Sequence, residues 1–484
     1  MIGIVLNNPA FEQDIRELLM AYYPGETFVH EKGTEVSFYV RGVQETAQFS
    51  MELVQVEEGE EWVRFSGSTP IYENDRTESK SAIKRLLYGF LREMQDGREL
   101  PWGTLTGIRP TKIAMTRLEQ GWTEAEIDRF MRQQYLTSQE KVDLSIEIAK
   151  RERELLSVLD YKKGYSLYVG IPFCPTTCLY CSFTSYPIGK WAGRTQQYLD
   201  ALFREMEYTA QKMQGRKLDT VYIGGGTPTS LSPKDLDAIF TKMESLFPIQ
   251  DALEFTVEAG RPDSITREKL EVMRAHGISR ISINPQTMKQ ETLDIIGRHH
   301  TVQMVKDCFF MARELGFDNI NMDLIVGLPG EDLEDIRHTM EEIKKLAPDS
   351  VTVHSLAIKR AARLNLFREK YEGKIHGSQE MIELTAAYAR EMGLEPYYLY
   401  RQKNMAGNFE NVGYARPGKA CLYNILIMEE LQTIVACGAG TTTKVVFPAE
   451  NRKERVENVK EVEQYTTRIE EMIARKEKLL VNLT

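Results

Sequence analysis

Cysteine is scarce in this sequence, with six in 484 residues. So few thiols in so long a chain exclude a disulfide-framed secreted scaffold. Long apolar runs are missing as well: no stretch approaches the roughly 18 consecutive apolar residues of a membrane span. The opening MIGIVLNNPAFEQD has neither a basic n-region nor an apolar run of signal-peptide length, so a cytoplasmic protein without a membrane span is expected. Positive charge is in deficit, 61 Lys and Arg against 71 Asp and Glu, a formal net charge of -10. That balance argues against a general nucleic-acid or anionic-membrane binder. The length is enough for about two or three domains with sizeable cores.

Three of the six cysteines stand together. Residues 165–187 read YSLYVGIPFCPTTCLYCSFTSYP, with Cys174, Cys178 and Cys181 at C-x3-C-x2-C spacing. They follow a short apolar run, Leu167 to Ile171, closed by Pro172. Three thiolates can hold three irons of a cubic [4Fe–4S] cluster and leave the fourth iron open to a small molecule. A zinc site and three unrelated thiols are the plainer readings. Structural zinc takes four ligands, however, and the next cysteine is Cys308, with no histidine in the loop.

Residues 1–70 read as a small α+β module, with helical spacing at Ile15, Leu18, Leu19 and Tyr22, then alternating strands in TEVSFYV, TAQFSMELVQV and EWVRFSG. Residues 77–159 turn helical, and Thr123 stands as a helix cap. Between the helices, PWGTLTGIRPTK (101–112) is either a structural loop or an anion-binding turn. From residue 165 to about 356, strands and helices alternate. The strands are SLYVGI (166–171), TVYIGG (220–225), EFTVEA (254–259), SRISIN (279–284), NINMDLIVG (319–327) and SVTVHSL (350–356). Six βα units predict a parallel, partial (β/α)6 barrel, with functional residues at the C-terminal strand ends. The expected organisation is thus an α/β fold: a 1–160 α+β and helical extension, a 161–357 core, and a 358–484 C-terminal α/β extension.

The cysteine loop resembles that of the radical S-adenosylmethionine (SAM) superfamily. Tyr168-Val169-Gly170-Ile171-Pro172-Phe173-Cys174 and Cys178-Leu179-Tyr180-Cys181 resemble, more narrowly, the oxygen-independent coproporphyrinogen III oxidases and their HemW and HemZ relatives. The resemblance implies the radical SAM fold, with a [4Fe–4S] cluster on the three cysteines and SAM as cofactor. By the same resemblance, Gly225, Gly226 and Thr227 of Gly224–Thr229 hold the methionine part of SAM. Glu258, Gln286, Asp323 and Arg298 occupy further SAM-contact positions, and Tyr168, Tyr180 and Ala357 flank the cofactor. No catalytic side chain is assigned. His299 and His300 read as helix-start polarity at the barrel rim, with a substrate base or haem ligand as the alternative, and His354 is expected on the cofactor side.

Beyond the core, SQEMIELTAAYAREMG is a helix, residues 397–419 form an aromatic, basic loop, and 451–484 a charged surface helix. The loop resembles the family's substrate-covering region, with Tyr398, Tyr400, Arg401, Lys403, Arg416 and Lys419 as candidates for holding a tetrapyrrole and its carboxylates; an ordinary packed aromatic loop is the alternative. The chain departs from the family's oxidases at Phe183, where they carry a fourth cysteine. It departs from HemW at Tyr423–Met428, where HemW reads His-Asn-x-x-Tyr-Trp. The long N-terminal extension, GIRPTK and CGAGTTTK resemble the HemZ branch. The implied activity is oxidative decarboxylation of coproporphyrinogen III in porphyrin and haem biosynthesis, with an electron donor such as flavodoxin or ferredoxin. The alternatives are a HemW-type haem-binding chaperone, or a radical enzyme acting on another tetrapyrrole.

Overall fold

The computed structural model describes residues 1–30, 35–183, 185–357, 362–366, 371, 377–402 and 409–483. They form two compact units, Met1–Lys150 with Tyr400–Glu410, and Arg151–Leu399 with Asn411–Thr484.

In the first unit, β1 (Ile2–Leu6), β2 (Phe28–Val29), β3 (Phe38–Glu45), β4 (Gln48–Glu57) and β5 (Glu60–Pro70) make one sheet in the order β2-β1-β3-β4-β5. β1 runs parallel to β2 and β3, and the remaining pairs are antiparallel hairpins. Helices α1 (Glu12–Tyr22) and α2 (Arg76–Met94) bury Ile15, Leu18, Leu19, Ile83, Leu87 and Leu91 against strand residues such as Ile4, Val40, Phe49 and Leu53. This is the alternation of each strand meeting the 3.6-residue stripe of each helix. Then come α3 (Thr111–Glu119), α4 (Glu124–Tyr135) and α5 (Gln139–Leu156). Thr123 closes a capping box with Glu126 at the start of α4, as its sequence predicts. The Tyr400–Glu410 segment belongs to this unit through Glu410, which accepts Trp102 Nε1 at 2.7 Å and pairs with buried Lys141 at 2.7 Å.

The second unit is built on one sheet whose central six strands are parallel and follow chain order. They are β6 (Tyr165–Ile171) and, after the short ribbon β7 (Phe173–Cys174) and β8 (Tyr186–Pro187), β9 (Leu218–Gly225), β10 (Glu254–Gly260), β11 (Arg280–Ile283), β12 (Ile320–Val326) and β13 (Ser350–Ser355). Helices α6 (Thr195–Lys212), α7 (Pro233–Leu246), α8 (Arg267–Ala275), α9 (Gln290–Ile295), α10 (Val302–Glu314) and α11 (Leu333–Leu346) connect them. The six βα units lie where the sequence pattern puts them.

The C-terminal chain extends both edges of this sheet. After α12 (Gln379–Glu391), β14 (Glu395–Tyr400) and β15 (Asn411–Ala415) follow β13, with β15 antiparallel to it. After α13 (Leu422–Glu429), β16 (Thr433–Cys437) runs parallel to β6, followed by antiparallel β17 (Thr442–Phe447) and β18 (Arg452–Glu457), and the chain then forms α14 (Ile469–Leu480). Two expectations are corrected here. The described part of the aromatic segment includes two strands, β14 at the sheet edge and β15 beside it, rather than a loop, because nearly every residue of the two strands is buried. The tail is not simply a surface helix: Arg452–Glu457 is a strand, and α14 carries a fully buried Lys476.

Candidate active site

The three cysteines lie on the loop after β6, at the C-terminal end of the parallel strands. The loop is stitched down on several sides. Leu179 N–H donates to Ile296 O at 2.9 Å, Tyr186 N–H to Pro172 O at 2.8 Å, and Thr227 N–H to Phe173 O at 2.7 Å. Leu179 also packs among Leu293, Ile296, Ile325 and Leu328. Cys174 and Cys178 are buried, Cys181 is half-buried, and all three are free thiols. Burial raises the Cys174 thiol and pushes Cys181 up to about 11. Without a cation these thiols keep their protons, and bound iron is the charge that would displace them. Among the described residues, no three His, Cys, Asp or Glu side chains converge as ligands of a single ion would. Three thiols on one loop match three irons of a cluster, one thiolate to each.

Gly224–Gly226 end β9 beside this loop. A Cβ on Gly226 would stand 2.5 Å from Phe173 O, so only glycine lets the turn pass this close to the first cysteine. Thr227 Oγ1 lies 3.4 Å from Cys174 Sγ. The later Cys437–Gly440 motif packs on the same strand from the other side. A Cβ on Gly438 would meet Gly170 O at 2.4 Å, and Tyr198 O–H donates to Gly170 O at 2.6 Å. That motif therefore shapes the strand that leads into the cysteines.

One face of the parallel sheet is polar. In register across it stand Tyr168 beside Tyr222, Thr256 beside Arg280, Ser282 beside Asn321, and Asp323 beside Thr352. Tyr222 O–H donates to Glu258 Oε1 at 2.6 Å. Burial, opposed by that bond, lifts the Glu258 carboxyl to about 7. Burial also pushes Asp323 upward, but hydrogen bonds from His354 and Asn321 prevail and hold it below the usual carboxylate range. His354 Nε2 stands 3.8 Å from Asp323, so this histidine is on the side expected for it. Gln286 adopts φ 69°, strained for a residue with a Cβ. The strain is held by two backbone bonds to β12, from Gln286 N–H to Asp323 O at 3.0 Å and from Ile325 N–H to Gln286 O at 2.9 Å. Among the described residues, its buried Oε1 accepts no hydrogen bond and buried Ser282 Oγ makes none. These orphaned polar atoms suit a polar ligand such as SAM.

Gly225, Gly226, Thr227 and Glu258 stand toward the C-terminal ends of their strands and Gln286 and Ala357 just after theirs, Ala357 half-buried, whereas Tyr168 and Asp323 stand mid-strand on the polar face. Arg298 turns toward the cysteine loop, bonding Cys178 and Tyr180 and donating to Asn284 O. Sequence reasoning missed Tyr222, Tyr423, Arg261 and Arg280. Tyr222 was legible as the residue paired with Tyr168, but Tyr423 comes from α13, far along the chain.

Several expectations fail. Arg401 is buried in the first unit, donating to Leu105 O at 2.6 Å and standing over the Trp102 ring. Tyr398 is buried with its ring against Gly413. Arg416 N–H bonds Asp349 O, and Lys419 pairs with Asp318 at 3.0 Å. Both acidic residues precede the parallel strands β13 and β12, so Arg416 and Lys419 lie at the end of the sheet opposite the cysteines. Neither Arg416 nor Lys419 thus stands beside the cysteine loop to hold a carboxylate there. Lys403 lies outside the described residues. His300 is no rim residue: it is 1% exposed, neither ring nitrogen has a hydrogen-bond partner among the described residues, and burial beside Arg298 lowers it to about 3.

Residues 168–343 match the family described as the Radical SAM superfamily. The chain is 41% identical, over 91% of both chains, to the oxygen-independent coproporphyrinogen-III oxidase-like protein HemZ of Bacillus subtilis. It is 36% identical to the haem chaperone HemW of the same organism, over 48% of this chain and 62% of that one. It is 31% identical to the oxygen-independent coproporphyrinogen III oxidase of Escherichia coli, over 40% of this chain and 42% of that one. The solved structure of coproporphyrinogen III oxidase (HemN) from Escherichia coli aligns with a TM-score of 0.53 at 23% identity, over 66% of this chain and 73% of that one. At that identity the structural likeness concerns the fold.

Proposed function

Because the chain belongs to the family of oxygen-independent coproporphyrinogen III oxidases and their HemW and HemZ relatives, within the radical SAM superfamily, we propose that it oxidatively decarboxylates coproporphyrinogen III without oxygen. Its cofactors are a [4Fe–4S] cluster and SAM. The observation that carries the reading is the near full-length similarity to a protein named for its likeness to that oxidase.

In this reading Cys174, Cys178 and Cys181 hold the cluster. When bound, the cluster supplies the electron that splits SAM into methionine and a 5′-deoxyadenosyl radical. Gly225, Gly226 and Thr227 receive the methionine end, since the glycine turn leaves backbone room beside the loop. Glu258, Gln286 and Asp323 take the ribose and neighbouring polar groups. Arg298, Tyr168, Tyr180 and Ala357 complete the wall. Hydrogen abstraction beside a propionate, loss of CO2 and passage of one electron to an acceptor would leave a vinyl group. Two such rounds give protoporphyrinogen IX. The cofactors carry the hard chemistry. A flavodoxin- or ferredoxin-type protein would supply the reducing electron.

The second reading, a haem-binding chaperone of HemW type, is favoured by Phe183 in place of the fourth cysteine of the oxidases. Anaerobic incubation of reconstituted protein with coproporphyrinogen III, SAM and a reductant separates the two. The oxidase reading expects protoporphyrinogen and 5′-deoxyadenosine. Unchanged coproporphyrinogen together with tight stoichiometric haem binding would replace it with the chaperone.

A further inference from the structure

Arg261 follows β10 and is 2% exposed. Its guanidinium is used on both edges. On one side, Nε donates to Asp263 Oδ1 at 3.0 Å and Nη2 to Asp263 Oδ2 at 2.7 Å, a fork-to-fork pair. On the other, Nη1 donates to Thr176 O at 2.9 Å and Thr176 Oγ1 at 2.8 Å, and reaches Cys178 Sγ at 3.7 Å. Thr176 lies between Cys174 and Cys178, so one rigid, permanently charged plane spans the cysteine loop and the β10 turn. The donors differ among the three sulfurs. Cys174 lies 3.4 Å from one hydroxyl, Thr227 Oγ1. Cys181 meets the backbone N–H of Phe183. Cys178 meets two guanidiniums, those of Arg261 and Arg298.

We propose that Arg261, locked in orientation by Asp263, is a positioning residue that raises the reduction potential of the cluster through a charge-assisted hydrogen bond to Cys178 Sγ. The proposal rests on Cys178 being a cluster ligand. Reduction adds negative charge that is shared with the ligand sulfurs. A cation fixed against one of them therefore favours the reduced cluster over the oxidised one. Burial keeps water from screening the interaction. Asp263 offsets part of the charge but fixes the fork, so the donor cannot swing away when the sulfur's charge changes.

The test is an anaerobic redox titration followed by electron paramagnetic resonance, with iron content measured on every sample. Arg261→Gln removes the charge and should shift the reduced-to-oxidised ratio at a fixed potential at least tenfold toward oxidised, about 59 mV or more in the negative direction. Arg261→Lys keeps the charge without the fork and should fall between wild type and Arg261→Gln. Asp263→Asn frees the fork and should move the potential measurably. Full iron and a wild-type potential in Arg261→Gln would overturn the proposal. If Arg261→Gln holds no full cluster, wild-type potentials in both Arg261→Lys and Asp263→Asn overturn it, and a shift in either supports it. A wild-type protein that takes up no iron would instead count against the cysteine assignment itself, so the two failures are distinguishable.

Discussion

Tyr423 lies flat on Tyr222, with ring centroids 4.4 Å apart and planes 22° apart, and Tyr168 stacks against both. Tyr423 stands at the start of α13, whose first N–H groups, at Leu422 and Tyr423, donate to Glu254 at 2.7 and 3.5 Å. Cys421 Sγ–H adds a third donor at 3.1 Å. A carboxylate at a helix N-terminus meets both orphan donors and the positive end of the dipole. Glu254 at the start of β10 thus anchors the helix, and Tyr423 covers the polar face below Glu258. Tyr423→Ala should lower unfolding stability by ~3 kcal/mol, as for other large buried aromatics, measured by denaturant titration. An unchanged midpoint would mean that the stack bears no weight.

Replacement of Cys174, Cys178 or Cys181 with Ala should abolish iron retention after anaerobic reconstitution. Cys308, Cys421 and Cys437 should tolerate Ser with full iron content. Cys437 is the informative control, because its thiol is already engaged by Thr209 and Lys476. Iron loss in the Cys437 variant with an intact fold would show that the ligand set is wrong.

Glu258 titrates near neutrality, at about 7. Below that pH its neutral carboxyl is a poor acceptor; above it the carboxylate accepts more strongly from ribose hydroxyls. SAM should therefore bind more tightly as pH rises through 7 in the reconstituted protein. Glu258→Gln should flatten the profile and weaken binding at the alkaline end by ~1–3 kcal/mol. Calorimetric titration at several pH values checks this, and a slope that survives in the variant removes Glu258 from the cofactor site.

Lys476 of α14 is fully buried, donating to Glu205 Oε1 at 2.7 Å and Ala436 O at 2.6 Å. Glu205 in turn accepts Tyr465 O–H at 2.5 Å and Gly438 N–H at 2.8 Å. Lys476→Met leaves the buried carboxylate without its cation, a change worth ~3–5 kcal/mol. Limited proteolysis should then cut the C-terminal helix first. Wild-type stability and an uncut helix would mean that α14 is held by its apolar residues alone.

The parallel strands, the cysteine loop and the glycine turn were legible because each is a local pattern: short apolar strands alternating with helices, close thiol spacing, a glycine run after a strand. The polar face was missed, although Ser166-Tyr168, Thr220-Tyr222, Glu254-Thr256-Glu258 and Asn321-Asp323 alternate with other residues in those strands. A parallel sheet covered by helices on both faces would read as continuously apolar. What stayed hidden was contact at long sequence separation. Nothing near Tyr423 says that it meets Tyr222, and nothing near Arg416 says that an antiparallel strand carries it to the far end of the sheet. Arg261 looked like any charged residue after a strand until Thr176 and Cys178 were placed beside it.

The most direct test of the whole account is product analysis under strict anaerobiosis. Protein with a reconstituted cluster is mixed with SAM, a low-potential reductant and coproporphyrinogen III, and porphyrin products and 5′-deoxyadenosine are quantified together. The account predicts protoporphyrinogen IX formed with 5′-deoxyadenosine, and loss of both in the Cys174, Cys178 and Cys181 variants. SAM cleavage with no change in coproporphyrinogen III would contradict it.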